Sequence, residues 1–127
     1  MSVLAMKFGG TSVGSSAAIG MLCQIVHDQK QAWDNVAVVV SAMSGVTDIL
    51  INGANAAARG DKASAHTSAD ALRSRHLTTL HDLAGDTPAS AAIGQQITAL
   101  ISEYELLIQA VGVLGEASPR ALDAIAS

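Results

Sequence analysis

Aromatic side chains are nearly absent from this chain: one Trp, one Tyr and one Phe in 127 residues. A core without them must rest on Leu, Ile, Val and Ala packed closely. Charge is scarce too, at 14% Asp, Glu, Lys and Arg, with a formal net charge of −4. A general nucleic-acid binder would carry a basic footprint, so that class is set aside. The single cysteine, Cys23, excludes an intrachain disulfide and a multi-cysteine zinc site. None of the four histidines, His27, His66, His76 and His81, forms a His-Glu-x-x-His pair, so no metal site is expected. No uninterrupted apolar run approaches the ~20 residues of a membrane span; the densest, Val36 to Val40, has five. The N-terminus lacks a basic region ahead of an apolar one, because Lys7 follows the apolar residues, so no secretory signal is expected. The default is a soluble cytoplasmic protein with neither a membrane nor a nucleic acid as partner.

What is present is apolar and small. Hydrophobic residues make up 50% of the chain, too many for intrinsic disorder. Alanine, the best helix former, occurs 24 times. The length suits one domain or part of one.

Residues 3–8 read as a short buried strand, stopped by Gly9 and Gly10. Ser12 or Ser15 caps a helix running to about Gln31, with Ile19, Leu22, Cys23 and Val26 on one apolar face, where Cys23 is a packing residue. Residues 36–41, with four valines in the first five positions, read as a strand buried on both faces, as in a parallel sheet. A polar loop over 41–47 leads to a helix over 48–58, whose cap would be Thr47 or Asp48. Strand, helix, strand and helix then follow one another, and a right-handed crossover makes the two strands parallel.

The second half is helical. A polar linker over 59–65 precedes a helix over 66–84, with Ala69, Leu72, His76, Leu80 and Leu83 on one side and His76 as a hydrogen-bonded core residue. Gly85 to Pro88 form a break. A long helix over 89–113 carries Ile93, Ile97, Leu100, Tyr104, Leu107, Val111 and Leu114, spaced alternately by four and three. That seam would close an antiparallel helical hairpin, or alternatively pair the chain with itself or another protein. Ser118 and Pro119 start a last helix. Arg59, Lys62, Arg73 and Arg75 read as a solvated basic face.

Two loops carry candidate chemistry. In Lys7-Phe8-Gly9-Gly10-Thr11-Ser12, a lysine at a strand end precedes two glycines that let backbone amides approach an anion. The helix that follows adds partial positive charge at its N-terminus. The pattern suits nucleotide phosphates, although it is neither a Walker loop nor a G-x-G-x-x-G fingerprint. Taken alone, it reads more often as a Gly-Gly turn with a solvated lysine. In Ser41-Ala42-Met43-Ser44-Gly45-Val46-Thr47-Asp48, three hydroxyls and a glycine could hold a carboxylate or a phosphate. Both loops follow strands, and parallel neighbours would bring them to one sheet edge, where open α/β sheets bind ligands.

The string Lys-Phe-Gly-Gly-Thr-Ser-Val over 7–13, with Val-Val-Ser-Ala-Met-Ser-Gly-Val-Thr-Asp over 39–48, resembles aspartate kinase, a member of the amino-acid kinase superfamily. The resemblance implies an α/β fold: the N-terminal part of a three-layer αβα amino-acid-kinase fold, β-α-β-α followed by a helical hairpin, with these residues mostly helical. It divides the chain into 1–58, holding the two loops, and a helical segment over 59–127. It implies transfer of the γ-phosphoryl of ATP, with Mg2+, to the β-carboxylate of L-aspartate. The product, 4-phospho-L-aspartate, feeds lysine, threonine and methionine biosynthesis. Carried over by motif, Lys7, Phe8, Gly9, Gly10 and Ser12 would bind ATP, with Lys7 catalytic. Ser41, Gly45 and Thr47 would face aspartate, and Gly45 would keep the loop close to it.

In the family a Ser-Pro-started helix leads into a Gly-Glu motif that grips the aspartate amino group; Gly115-Glu116 precedes the Ser118-Pro119 start and reads as a helix end, so neither that motif nor the regulatory ACT domains are expected in these 127 residues. The expectation is an N-terminal portion of the enzyme, inactive in isolation and self-associating as a homo-oligomer. Other readings stay open: a helical binding module without catalysis, or a superfamily kinase for another amino acid.

Overall fold

The computed structural model describes residues 1–127. Along the chain run β1 (Val3–Phe8), α1 (Ser16–Gln29), β2 (Asn35–Val40), α2 (Val46–Ala58), α3 (Lys62–Ala84), α4 (Pro88–Leu114) and α5 (Pro119–Ala126). They form two compact units, Met1–Gly45 and Val46–Ser127.

The first unit is a strand, crossover helix and parallel strand. β1 and β2 pair in parallel, in a register running from Val3 opposite Asn35 to Phe8 opposite Val40. Asp34 ties the start of this ladder. Its carboxylate accepts from the Ser2 amide at 2.7 Å and the Ser2 hydroxyl at 3.0 Å. Those bonds hold the Asp34 carboxyl below its usual range. Ser15 caps α1 by accepting from the Ala18 amide.

Burial on both strand faces is not found. Leu4, Met6, Phe8 and Val36 are half-buried, while Val3, Val38, Val39 and Val40 are exposed. A valine run reports the tendency of a strand to be covered, but a two-stranded sheet beside one helix leaves a face and both edges uncovered. Cys23 is exposed rather than packed. Ile19, Leu22 and Val26 form the half-buried stripe of α1, and Cys23 sits beside it.

The second unit is a helical bundle whose core is built largely of alanine: Ala54, Ala56, Ala57, Ala65 and Ala69, with Leu72, Ile101, Tyr104, Ile108, Val111 and Ile125. Few aromatics therefore means close helix contact. α3 and α4 run antiparallel, with Arg73 against Glu105 and Leu77 and Leu80 against Gly94. Arg73 is not on a freely solvated face: it is half-buried and bonds both Asp70 (2.9 Å) and Glu105 (3.0 Å). His76 is half-buried, with Nδ1 2.7 Å from the Leu72 carbonyl.

Two helix starts lie upstream of the expectation. α3 begins at Lys62, because Asp61 accepts from the Ser64 amide as an N-cap; the linker shrinks accordingly. α2 begins at Val46, placing Thr47 and Asp48 inside its first turn rather than at its cap. Thr87 and Ser90 form a capping box for α4, with Pro88 at its first position.

The seam of α4 needs the largest correction. Ile97, Tyr104 and Val111 do face inward, together with Ser90, Gly94, Ile101 and Ile108. Ile93, Leu100, Leu107 and Leu114 are 43–74% exposed. Both candidate faces repeat every seven residues, so periodicity cannot choose between them. Packing decides: the inward face carries Gly94 beside Leu77 and Leu80 of α3, and Tyr104, whose hydroxyl bonds the Leu50 carbonyl of α2. By length and composition alone α4 is also apolar enough to cross a membrane, a test that bundle core helices pass as well.

Candidate active site

The candidate residues lie where β1 and β2 end. Strand alternation puts Val3, Ala5 and Lys7 on the exposed side of β1 and Phe8 on the half-buried side with Leu4 and Met6. Lys7 makes no ion pair, so its ammonium is uncommitted. The Phe8 carbonyl accepts from the Ser41 amide at 3.1 Å, extending the parallel ladder one residue beyond β2. The chain then turns: the Ser12 amide donates to the Gly9 carbonyl at 3.0 Å, and Gly14 to Thr11 at 3.3 Å.

The two loops meet directly. The Ser44 amide donates to the Gly10 carbonyl at 3.1 Å. Val13 and Met43 are buried, whereas Lys7, Gly9, Ser12, Ser41, Ser44 and Gly45 are exposed and Gly10 is half-buried. Nothing lies within 4 Å of the position a Gly9 side chain would take. A turn open at Gly9, with an uncommitted ammonium two residues away, fits a polyanion such as a nucleotide phosphate tail. The Ser41 hydroxyl donates to the Ala42 carbonyl at 3.0 Å. Gly45 has φ +82°, a conformation that L side chains rarely adopt, so this position demands glycine for its backbone. Thr47 belongs to the second unit, exposed in the first turn of α2, and its hydroxyl makes no hydrogen bond.

The structure thus brings Lys7, Phe8, Gly9, Gly10, Ser12, Ser41 and Gly45 together at one end of one strand pair. Sequence reasoning missed two features. One is the Gly10–Ser44 bond, whose only signal is a double glycine and a serine-rich loop after successive strands. The other is the pair of buried pegs, Val13 and Met43, one in each loop.

Residues 2–122 match the model of the Amino acid kinase family. The chain is 49% identical over 55 residues to an aspartokinase of Pseudomonas aeruginosa, covering 43% of this chain and 13% of the relative. It is 34% identical over 112 residues to the chloroplastic bifunctional aspartokinase/homoserine dehydrogenase 1 of Zea mays, covering 88% of this chain and 12% of the relative. Among solved structures, Escherichia coli aspartokinase III in complex with aspartate and ADP (R-state) superposes with a TM-score of 0.75 at 26% identity. That match covers 99% of this chain and 25% of the solved chain. The matched stretches therefore span about an eighth of the length of these curated relatives.

Proposed function

The chain belongs to the amino acid kinase family, and from that premise we propose that it forms the N-terminal part of the catalytic domain of an aspartate kinase. The reaction is transfer of the γ-phosphoryl group of ATP to the β-carboxylate of L-aspartate. A carboxylate oxygen attacks the γ-phosphorus, the bond to the β,γ-bridging oxygen breaks, and ADP leaves. No general base is required, because the attacking carboxylate is already ionised at neutral pH. Catalysis is then positioning plus charge stabilisation.

Lys7 is the residue for that charge. Its free ammonium stabilises the transferring group, and Gly9, Gly10 and Ser12 cradle the phosphates beside it. Phe8 fixes the strand end from which Lys7 and the glycines project. Bound Mg2+ would arrive with the nucleotide and neutralise its phosphates. Ser41, Gly45 and Thr47 hold aspartate. The observation that carries this reading is the 3.1 Å bond from the Ser44 amide to the Gly10 carbonyl, which keeps the glycine turn against the serine loop. Phosphoryl transfer needs donor and acceptor in contact, and this bond supports the reading by holding the glycine turn, assigned to the donor, beside the serine loop, assigned to the acceptor.

The 1–58 and 59–127 segments serve different ends: the first carries both loops, the second is helical support. On this reading the isolated chain is inactive: it spans only a quarter of the solved neighbour. The enzyme is cytoplasmic, with no membrane or nucleic-acid partner, and acts in lysine, threonine and methionine biosynthesis. Exposed Ile93, Leu100, Leu106, Leu107, Val113 and Leu114 on α4 support a homo-oligomer. A monodisperse monomer in sedimentation equilibrium at high concentration would contradict that last point.

The test is hydroxamate trapping of the acyl phosphate. The complete gene product containing these residues should turn over with Mg-ATP and L-aspartate, and the 127-residue chain should not. Equal turnover of L-glutamate or N-acetylglutamate would move the assignment to another kinase of the family.

A further inference from the structure

The turn after β1 holds three glycines in six residues, Gly9, Gly10 and Gly14, and none has a positive φ. Conformational freedom therefore does not explain them. Space explains two. A Cβ at Gly10 would stand 3.2 Å from the Ala42 carbonyl oxygen and 3.3 Å from Ser44 N and Cα. A Cβ at Gly14 would stand 3.1 Å from the Gly10 carbonyl oxygen, 3.3 Å from that of Thr11 and 3.5 Å from Ser44 Cβ. Gly14 thus backs the very carbonyl that accepts the Ser44 amide.

We propose that Gly14, outside the substrate-binding set, is a positioning residue: its missing side chain lets the Gly10 carbonyl hold Ser44, and so fixes the spacing between glycine turn and serine loop. This rests on the aspartate kinase reading for its consequence but not for its geometry. A Cβ at Gly14 presses on the Gly10 and Thr11 carbonyl oxygens, which must give by a few tenths of an ångström, and it touches Ser44 Cβ at ordinary contact distance, so the branches of a valine demand a larger shift. That shift separates the nucleotide loop from the acceptor loop. Because each loop stays intact, substrate affinity is little changed while the productive alignment is lost, and misplacement on the order of 1 Å is enough to slow a reaction strongly.

The test is Gly14→Val in the complete gene product, with Gly20→Ala as control, since a side chain at Gly20 meets nothing within 4 Å. Gly14→Val should lower kcat about tenfold with both KM values within about twofold. Gly14→Ala, whose Cβ asks for only a few tenths of an ångström from the Gly10 and Thr11 carbonyls, should lower kcat less than Gly14→Val does. In the 127-residue chain, Gly14→Val should speed amide exchange at Ser44 about tenfold relative to Val38 and Val39 in the ladder, since exchange reports local opening. Unchanged kcat per folded molecule, or unchanged exchange at Ser44, overturns the proposal. A wild-type product that phosphorylates no aspartate overturns the functional reading instead, and exchange at Ser44 then decides the positioning role alone.

Discussion

Gly53 on α2 lies directly beneath the Tyr104 hydroxyl of α4, and any side chain at position 53 would overlap that oxygen. The hydroxyl donates to the Leu50 carbonyl at 3.0 Å, one helical turn before Gly53. The glycine is the socket for the one tyrosine of the chain. Gly53→Ala should cost about 1–3 kcal/mol by overpacking. Tyr104→Phe should cost about 1 kcal/mol by losing the hydrogen bond. Made on top of Tyr104→Phe, the Gly53→Ala change should cost less, because the overlapped oxygen is gone, but not nothing, because Ser68 Cβ still stands 2.8 Å from the new side chain. Urea unfolding of the wild type, the two single variants and the double variant measures this; strict additivity would show that the socket does not exist.

The same burial gives a pH dependence. It pushes the Tyr104 hydroxyl up to about 12 from its ordinary value near 10. The folded-state value is the raised one, so the contribution is fully present below pH ~10 and is lost as pH rises from ~10 to ~12, where the unfolded chain ionises first. Stability of the wild type should fall by up to about 2 kcal/mol more than that of Tyr104→Phe across this interval. Parallel stability curves for the two proteins over that range would remove Tyr104 as the cause.

How much of this was legible in the sequence depends on which interaction fixed each feature. Order and type of elements were readable, because Val36–Val40, the Ser15 and Ser118 caps and the Gly85–Pro88 break are local signals. The meeting of the glycine turn and serine loop was readable too, since parallel pairing follows from chain order. The inward face of α4 was not. Its two apolar faces share one period, and nonlocal packing chooses between them, with Gly94 beside Leu77 and Leu80 and the Tyr104 hydroxyl on the Leu50 carbonyl. Gly53 and Gly14 were equally silent, because a glycine kept for a neighbour's space looks like any other until that neighbour is known. Asp61 was missed for a simpler reason: it caps a helix whose first turn, Lys-Ala-Ser-Ala, reads as linker.

Lys7 offers a test of function free of folding effects. It is exposed and makes no ion pair, so Lys7→Ala should leave unfolding within about 0.5 kcal/mol of wild type. In the complete gene product, the same change should lower kcat/KM by roughly 100-fold, on the order of 3 kcal/mol of transition-state stabilisation. Lys7→Arg should restore little, since a planar guanidinium does not replace a compact ammonium at a single oxygen. A kcat/KM for Lys7→Ala within twofold of wild type would take Lys7 out of the mechanism.

Thr47 separates acceptor binding from helix capping. Had it been the N-cap of α2, its hydroxyl would satisfy a backbone amide, and Thr47→Val would cost about 1 kcal/mol of stability. It lies instead in the first turn, exposed, with a hydroxyl that bonds nothing in the protein. Thr47→Val should therefore leave stability nearly unchanged. If the hydroxyl meets the ionised substrate, one charge-assisted hydrogen bond is lost, about 1.5–3 kcal/mol. The KM for aspartate should then rise by tenfold or more, with the KM for ATP within twofold. Equal rises in both constants would mean that the valine disturbs the start of α2, and the acceptor role would pass to Ser41 alone.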